Sequence, residues 1–226
     1  MRLRLPLTIS ALLIAVMAAI SAWGWMMLPQ GVRIASHWGF DGQPTGTLPK
    51  ETGLLMLPAI GLVLCVLIAI IPVIEPRREN LIASRKAFLA IWLGALAAIA
   101  VAHALLVMNA LGYAIDVPGV LIVAIAGVIA IAGNYLGKVR SNFFVGIRTP
   151  WTLSSDLAWE KSHRMLGRLF VFSALITLAV RFAVTVEAGY IALAATLTSS
   201  AIVAIASSYV YWKQDPERRV ACPPSS

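Results

Sequence analysis

Six stretches of this sequence run for roughly 20 residues with little or no charge, enough for a helix to cross a hydrocarbon core about 30 Å thick. Leu5–Leu28 and Leu54–Ile74 contain no Asp, Glu, Lys or Arg, and Pro58 and Pro72 fall toward the ends of the second stretch, where a lost backbone bond matters least. Ala87–Leu111 is polar only at His103 and Asn109, and Val120–Leu136 carries Asn134 near its end. Leu169–Val186 is interrupted by Arg181, whereas Gly189–Trp212 is uncharged; a tight turn around Glu187 and Ala188 is expected between them. The pattern therefore predicts an all-α, polytopic membrane protein with six transmembrane helices.

Composition agrees. The chain is 60% hydrophobic and only 12% charged, against about 25% charged residues in soluble domains. Too little charge remains to cover a soluble surface, and too much apolar content for disorder. Two cysteines, Cys65 within a span and Cys222 in the tail, exclude a disulfide scaffold. A net charge of +8 would suggest nucleic acid on a soluble protein, but the placement of the basic residues gives a different answer. Fifteen of the eighteen Lys and Arg lie at the N-terminus, in the second and fourth connections and in the tail. Only Arg33, Lys50 and Arg181 lie on the other side. This asymmetry predicts both termini in the cytoplasm. Arg2 and Arg4 before an apolar run imitate a secretory signal, but the run continues through Trp23 and Trp25 to Leu28, which favours a retained helix.

Two connections are longer than antiparallel helices need. The outer one, residues 29–53, is rich in Gly and Pro and is expected to be compact and irregular. Its notable residues are His37 and Trp38, followed by Gly39, Gly42, Pro44 and Lys50. Trp38 suits an interfacial anchor, and His37 lacks the further ligands that a metal site needs. The inner connection, residues 137–168, contains Asn142, then Gly146, Ile147, Arg148, Thr149, Pro150, Trp151 and Thr152. Its second half reads as an interfacial amphipathic helix running into the fifth span. Ser155 is its N-cap, and Glu160 precedes Arg164 at i,i+4. Trp159, His163 and Leu166 share one face, with Lys161, Arg164 and Arg168 on another. Six cations beside a bilayer point to anionic headgroups rather than to nucleic acid, at about 1 kcal/mol each.

The GIRTPWTL sequence at 146–153, with Asn142 before it and Trp159 and His163 after it, resembles the signature of the SdpI family of bacterial membrane proteins. Leu28-Pro29, His37-Trp38, Gly39, Gly42, Pro44 and Lys50 resemble a small uncharacterised two-helix domain that often precedes that signature. Where an acidic residue commonly follows the proline, this chain has Thr45, and Ile34-Ala35-Ser36 lacks an expected proline. The resemblance implies an α-helical protein of the bacterial cytoplasmic (inner) membrane. It also implies immunity to a secreted peptide toxin, and in a signalling role a hold on a cytoplasmic regulator.

The expected organisation is a two-helix unit over 1–74, a hinge over 75–86, a four-helix unit over 87–212 and a tail over 213–226. Helix rise places His103 and Arg181 in the outer third of the membrane, near Asp116 and Glu187. Two readings stay open for this pair: an outward cavity handling a peptide or protons, or a snorkelling arginine and a neutral hydrogen-bonded histidine. Small residues at Gly94, Ala98, Gly133 and Gly137 suit close helix approach. No HExxH, phosphate-binding loop or Ser/His/Asp grouping emerges, so no enzyme, metal or cofactor is expected. The expected partners are the lipid bilayer, a secreted peptide toxin outside and a cytoplasmic regulator inside, without direct nucleic-acid contact. The alternative function is a small transporter or exporter using His103 and Arg181.

Overall fold

A computed structural model describes residues 3–39 and 43–218. Gly42 of the outer motif, together with Arg2, Arg219 and Cys222, lies outside the described residues. Six helices are long and apolar enough to cross a membrane: α1 (Arg4–Met27), α2 (Lys50–Ile74), α4 (Arg85–Ala110), α5 (Val117–Leu136), α7 (Asp156–Ala183) and α8 (Val186–Lys213). Short α3 (Arg78–Ala83) and α6 (Pro150–Leu153) sit in the second and fourth connections. Large apolar side chains such as Leu62, Val73, Phe172 and Ile202 are more than half exposed. That outward surface suits lipid rather than water.

Helices α1, α2 and α4 pack together, as do α5, α7 and α8, and α4 also lies against α5. Buried Leu28, Ile34, Leu54, Leu106 and Val107 form one core cluster, and Cys65, Leu81, Phe88 and Trp92 form another. Two tight crossings depend on glycine. A Cβ on Gly133 would stand 2.6 Å from the Gly167 carbonyl oxygen, so α5 and α7 touch backbone to backbone. Gly24 faces Val107 and Leu54 in the same intimate way. Gly94 does not behave as expected: nothing lies within 4 Å of the place its Cβ would occupy, so it marks no crossing.

The connection expected to be irregular is instead an antiparallel hairpin, β1 (Arg33–Trp38) with β2 (Pro44–Pro49), which makes the chain mostly helical rather than purely so. The glycines and prolines that suggested disorder fall where a hairpin tolerates them. Pro44 and Pro49 end β2, Gly39 donates its N–H to the Gln43 carbonyl (2.8 Å), and Gly46 faces His37. The register slips twice, between Ala35 and His37 and between His37 and Trp38, which bends the pair over the bundle.

Two boundaries also move, and one expected continuity holds. Helix α2 starts at Lys50, making this residue helical and placing Pro58 two turns inside. The amphipathic segment runs into the fifth span as expected: α7 is one helix of 28 residues, with no proline to break it and Gly167 at the crossing with Gly133. The last turn falls at 184–185, because the Thr185 hydroxyl accepts the Ala188 N–H at 3.1 Å and starts α8 ahead of Glu187.

Candidate functional site

The 137–155 loop is built as a folded plug whose polar groups are nearly all assigned. Asn142 is fully buried. Its Oδ1 accepts the N–H groups of Phe144 (2.9 Å) and Val145 (2.7 Å), and its Nδ2 donates to the Arg140 carbonyl (2.9 Å). The chain then turns at Gly146, where φ is +114°. A Cβ here would stand 2.1 Å from His163 Nε2, so both conformation and space demand glycine. The next residue, Ile147, donates its N–H to that nitrogen at 2.9 Å, and His163 Nδ1 pairs with the Trp159 carbonyl at 2.8 Å. A carbonyl can only accept, so the proton sits on Nδ1 and the ring is the neutral tautomer. Trp159 stacks on His163 with ring centroids 4.0 Å apart and donates Nε1–H to the Val139 carbonyl at 2.7 Å.

Thr149 caps α6, accepting the Thr152 N–H (3.2 Å), and Pro150 follows at the first helical position, where no N–H is needed. Thr152 returns the bond to Thr149 N–H and also donates to the Ile147 carbonyl at 2.8 Å. Trp151 lies edge-on to Tyr209 of α8, with centroids 5.2 Å apart. The GIRTPWT sequence is therefore mostly a folding instruction. Arg148 is the exception: its side chain is largely solvent-facing and donates to the Phe143 carbonyl at 2.7 Å.

Residues outside the motif close the plug. Glu75, almost fully buried, accepts the Phe143 N–H at 3.0 Å and the Arg77 N–H at 2.8 Å. Arg77 donates to Ser141 Oγ and, at 3.0 Å, to the Leu153 carbonyl, and its guanidinium lies over the Phe143 ring. Asn80 donates to the Ser141 carbonyl at 2.9 Å, and Ser84 accepts the Arg140 N–H at 2.8 Å. From the other direction, Ser155 donates to the Asp215 carboxylate just beyond α8. Sequence reasoning missed this set. A short Glu75-Pro76-Arg77 step bearing both charges was the available signal, but nothing in it identifies partners more than sixty residues away. A cleft of about 650 Å³ opens beside Arg77, Ser155, Asp156 and Asp215.

At the opposite end the hairpin is pinned by Ile34, which is fully buried against Gly53, with Trp38 half-buried on the same cluster. His37 is exposed and contacts the Ser36 hydroxyl (3.0 Å). Lys50 is not a surface residue: it is 1% exposed, and its Nζ donates to the carbonyls of Trp25 (2.9 Å) and Leu28 (2.6 Å). An ammonium thus closes the C-terminus of α1, where unpaired carbonyls and the helix dipole both favour it.

His103 and Arg181 share no contact. His103 lies buried with Nε2 3.0 Å from Ser21 Oγ and 3.2 Å from the Met17 carbonyl, which fixes the proton on Nε2. Ser21 in turn donates to the Leu54 carbonyl at 2.7 Å. That carbonyl is the one left unpaired by Pro58, four residues on, so the chain α4 to α1 to α2 repairs a proline defect. Arg181 instead pairs with Asp116 at 2.6 Å; Asp116 also caps α5 by accepting the Gly119 N–H at 2.9 Å. Among the described residues, no three His, Cys, Asp or Glu gather as a metal site.

Residues 138–209, which contain the plug's motif and its α7 and α8 partners, match the SdpI/YfhL protein family. This segment is similar to the SdpI/YfhL family over about a third of the chain. Residues 12–62, covering most of α1, the hairpin and half of α2, match a domain of unknown function, DUF1648. Among curated proteins, the chain is similar to immunity protein SdpI of Bacillus subtilis (strain 168), 24% identical over 104 residues. That match takes in 46% of this chain and spans only half the length of the relative. No solved structure matches. With six apolar helices around an SdpI/YfhL segment, the chain is a multi-pass membrane protein.

Proposed function

We propose that this chain is an SdpI-type immunity protein of the bacterial inner membrane, protecting its cell from a secreted membrane-active peptide by binding rather than by catalysis. The observation that carries the reading is the similarity to the Bacillus immunity protein, joined to the SdpI/YfhL match over the folded plug. The one-sided distribution of the basic residues supports an orientation with both termini and the plug in the cytoplasm and the hairpin outside. In this arrangement the hairpin of the 1–74 unit meets the peptide, offering exposed His37 beside half-buried Trp38. The plug of the 87–212 unit presents Arg148 and the cleft beside Arg77 to a cytoplasmic regulator.

The test is survival of a toxin-sensitive bacterium expressing this chain and challenged with secreted antibacterial peptides of the membrane-active class. Protection is expected, and it should fall for the His37→Ala/Trp38→Ala variant at equal membrane abundance. An absence of protection against every such peptide, with the protein folded and inserted, contradicts the immunity reading.

A further inference from the structure

Below the Gly133–Gly167 crossing, α5 and α7 leave a groove of about 530 Å³ on the outer surface of the bundle. Lys138, Arg164 and Arg168 line one part, and no Asp or Glu lines it. Glu160 pairs with Arg164, while Lys138 and Arg168 form no ion pair among the described residues. The other part is apolar, with Val171 and Phe172, the latter 60% exposed toward the lipid side. Polar and apolar portions therefore follow one another along α7, like the headgroup and tail of a lipid.

Depth sharpens the argument. Arg168 precedes the end of α7 at Ala183 by about 22 Å and Arg164 by about 28 Å, at 1.5 Å per residue. With hydrocarbon about 30 Å thick, both guanidinium groups fall near or inside its boundary, where the charge of Arg168, which has no ion-pair partner among the described residues, is costly. Two guanidinium groups and an ammonium around one site match a phosphodiester, which a guanidinium engages in forked, charge-assisted fashion. A soluble phosphate would satisfy these cations but leave Val171 and Phe172 uncovered.

We propose that the α5/α7 groove is a specific site for one anionic phospholipid, its phosphate held among Lys138, Arg164 and Arg168 and an acyl chain over Val171 and Phe172. The site goes beyond the immunity reading and does not depend on it. The full chain is reconstituted in phosphatidylcholine vesicles containing a minor fraction of phosphatidylglycerol, extracted in mild detergent, and its bound lipid is identified by native mass spectrometry. Retention of phosphatidylglycerol over phosphatidylcholine by about tenfold or more, relative to their bilayer ratio, is expected. Lys138→Gln/Arg164→Gln/Arg168→Gln should reduce that preference to the bilayer ratio. Arg4→Gln/Arg78→Gln/Arg85→Gln, which removes as many exposed basic-end charges outside the groove, should leave it unchanged. Should the groove variant not fold, the single Arg168→Gln change should still lower the preference several-fold. Equal losses in both triple variants, or none in the groove variant, overturn the proposal. So does displacement of the lipid by inorganic phosphate alone, which would mark a soluble-anion site.

Discussion

Replacing Gly146 with alanine tests whether the plug is held by the Gly146–His163 contact. The new Cβ would lie 2.1 Å from His163 Nε2, at a backbone φ of +114° that L residues rarely adopt. The backbone strain alone is worth about 1–3 kcal/mol. His163 cannot retreat, because its ring is fully buried and stacked 4.0 Å from Trp159. Forcing atoms into such a packed place costs about 1–3 kcal/mol, and losing the Ile147 N–H acceptor about 1–3 kcal/mol more. These terms overlap, since one backbone shift relieves strain and clash together, so about 3–5 kcal/mol is expected. For a chain of this size that is a fall of about 10 °C in Tm, measured on detergent-purified protein by fluorescence-detected thermal aggregation. Gly94→Ala is the control: its Cβ meets nothing within 4 Å and the change raises helix propensity, so Tm should hold or rise slightly. Gly146→Ala combined with His163→Ala should cost less than the sum of the single changes. A Gly146→Ala Tm indistinguishable from that of Gly94→Ala would refute the account of the plug.

The Ser21–Leu54 bond predicts an interaction between two distant substitutions. Ser21→Ala leaves the Leu54 carbonyl without a donor and should cost about 1–3 kcal/mol, whereas adding Pro58→Ala restores a backbone N–H to that carbonyl and should recover most of the Tm. Lys50→Met removes the donor to the Trp25 and Leu28 carbonyls and should lower Tm by several degrees, with faster amide exchange first in the hairpin and the C-terminal turn of α1. Unchanged exchange there would separate Lys50 from the hairpin's support.

How much of this architecture was readable depends on the range of the interaction that fixes each part. The six spans were legible because hydrophobic length is a local property, and so were the Ser155 cap and the Glu160–Arg164 pair, set within a single turn. Rotation about a helix axis was not legible. His103 faces Ser21 within α1, whereas Arg181 faces Asp116 at the N-cap of α5. The hairpin was hidden because Gly and Pro at strand ends and opposite a bulge look like the same residues in an irregular loop. The burial of Lys50 was not legible, since only the arrival of the α1 carbonyls makes burial of an ammonium tolerable. The motif was found as a pattern, but its physical content, a glycine against a buried imidazole, required the fold.

The clasp on the 137–155 loop has a consequence for the order in which the protein is made. Synthesis proceeds from the N-terminus at about 5–20 residues per second. Glu75, Arg77 and Asn80 therefore stand ready some sixty residues before Ser141 and Phe143 emerge to meet them. Asp215, which receives the Ser155 hydroxyl, comes 60 residues after that serine, once α8 is complete. Until then the loop has been seized from one side only. The second half of the clasp closes only after α8 has been made, so a nascent chain interrupted within α8 carries its signature segment without the carboxylate that fastens the start of α7.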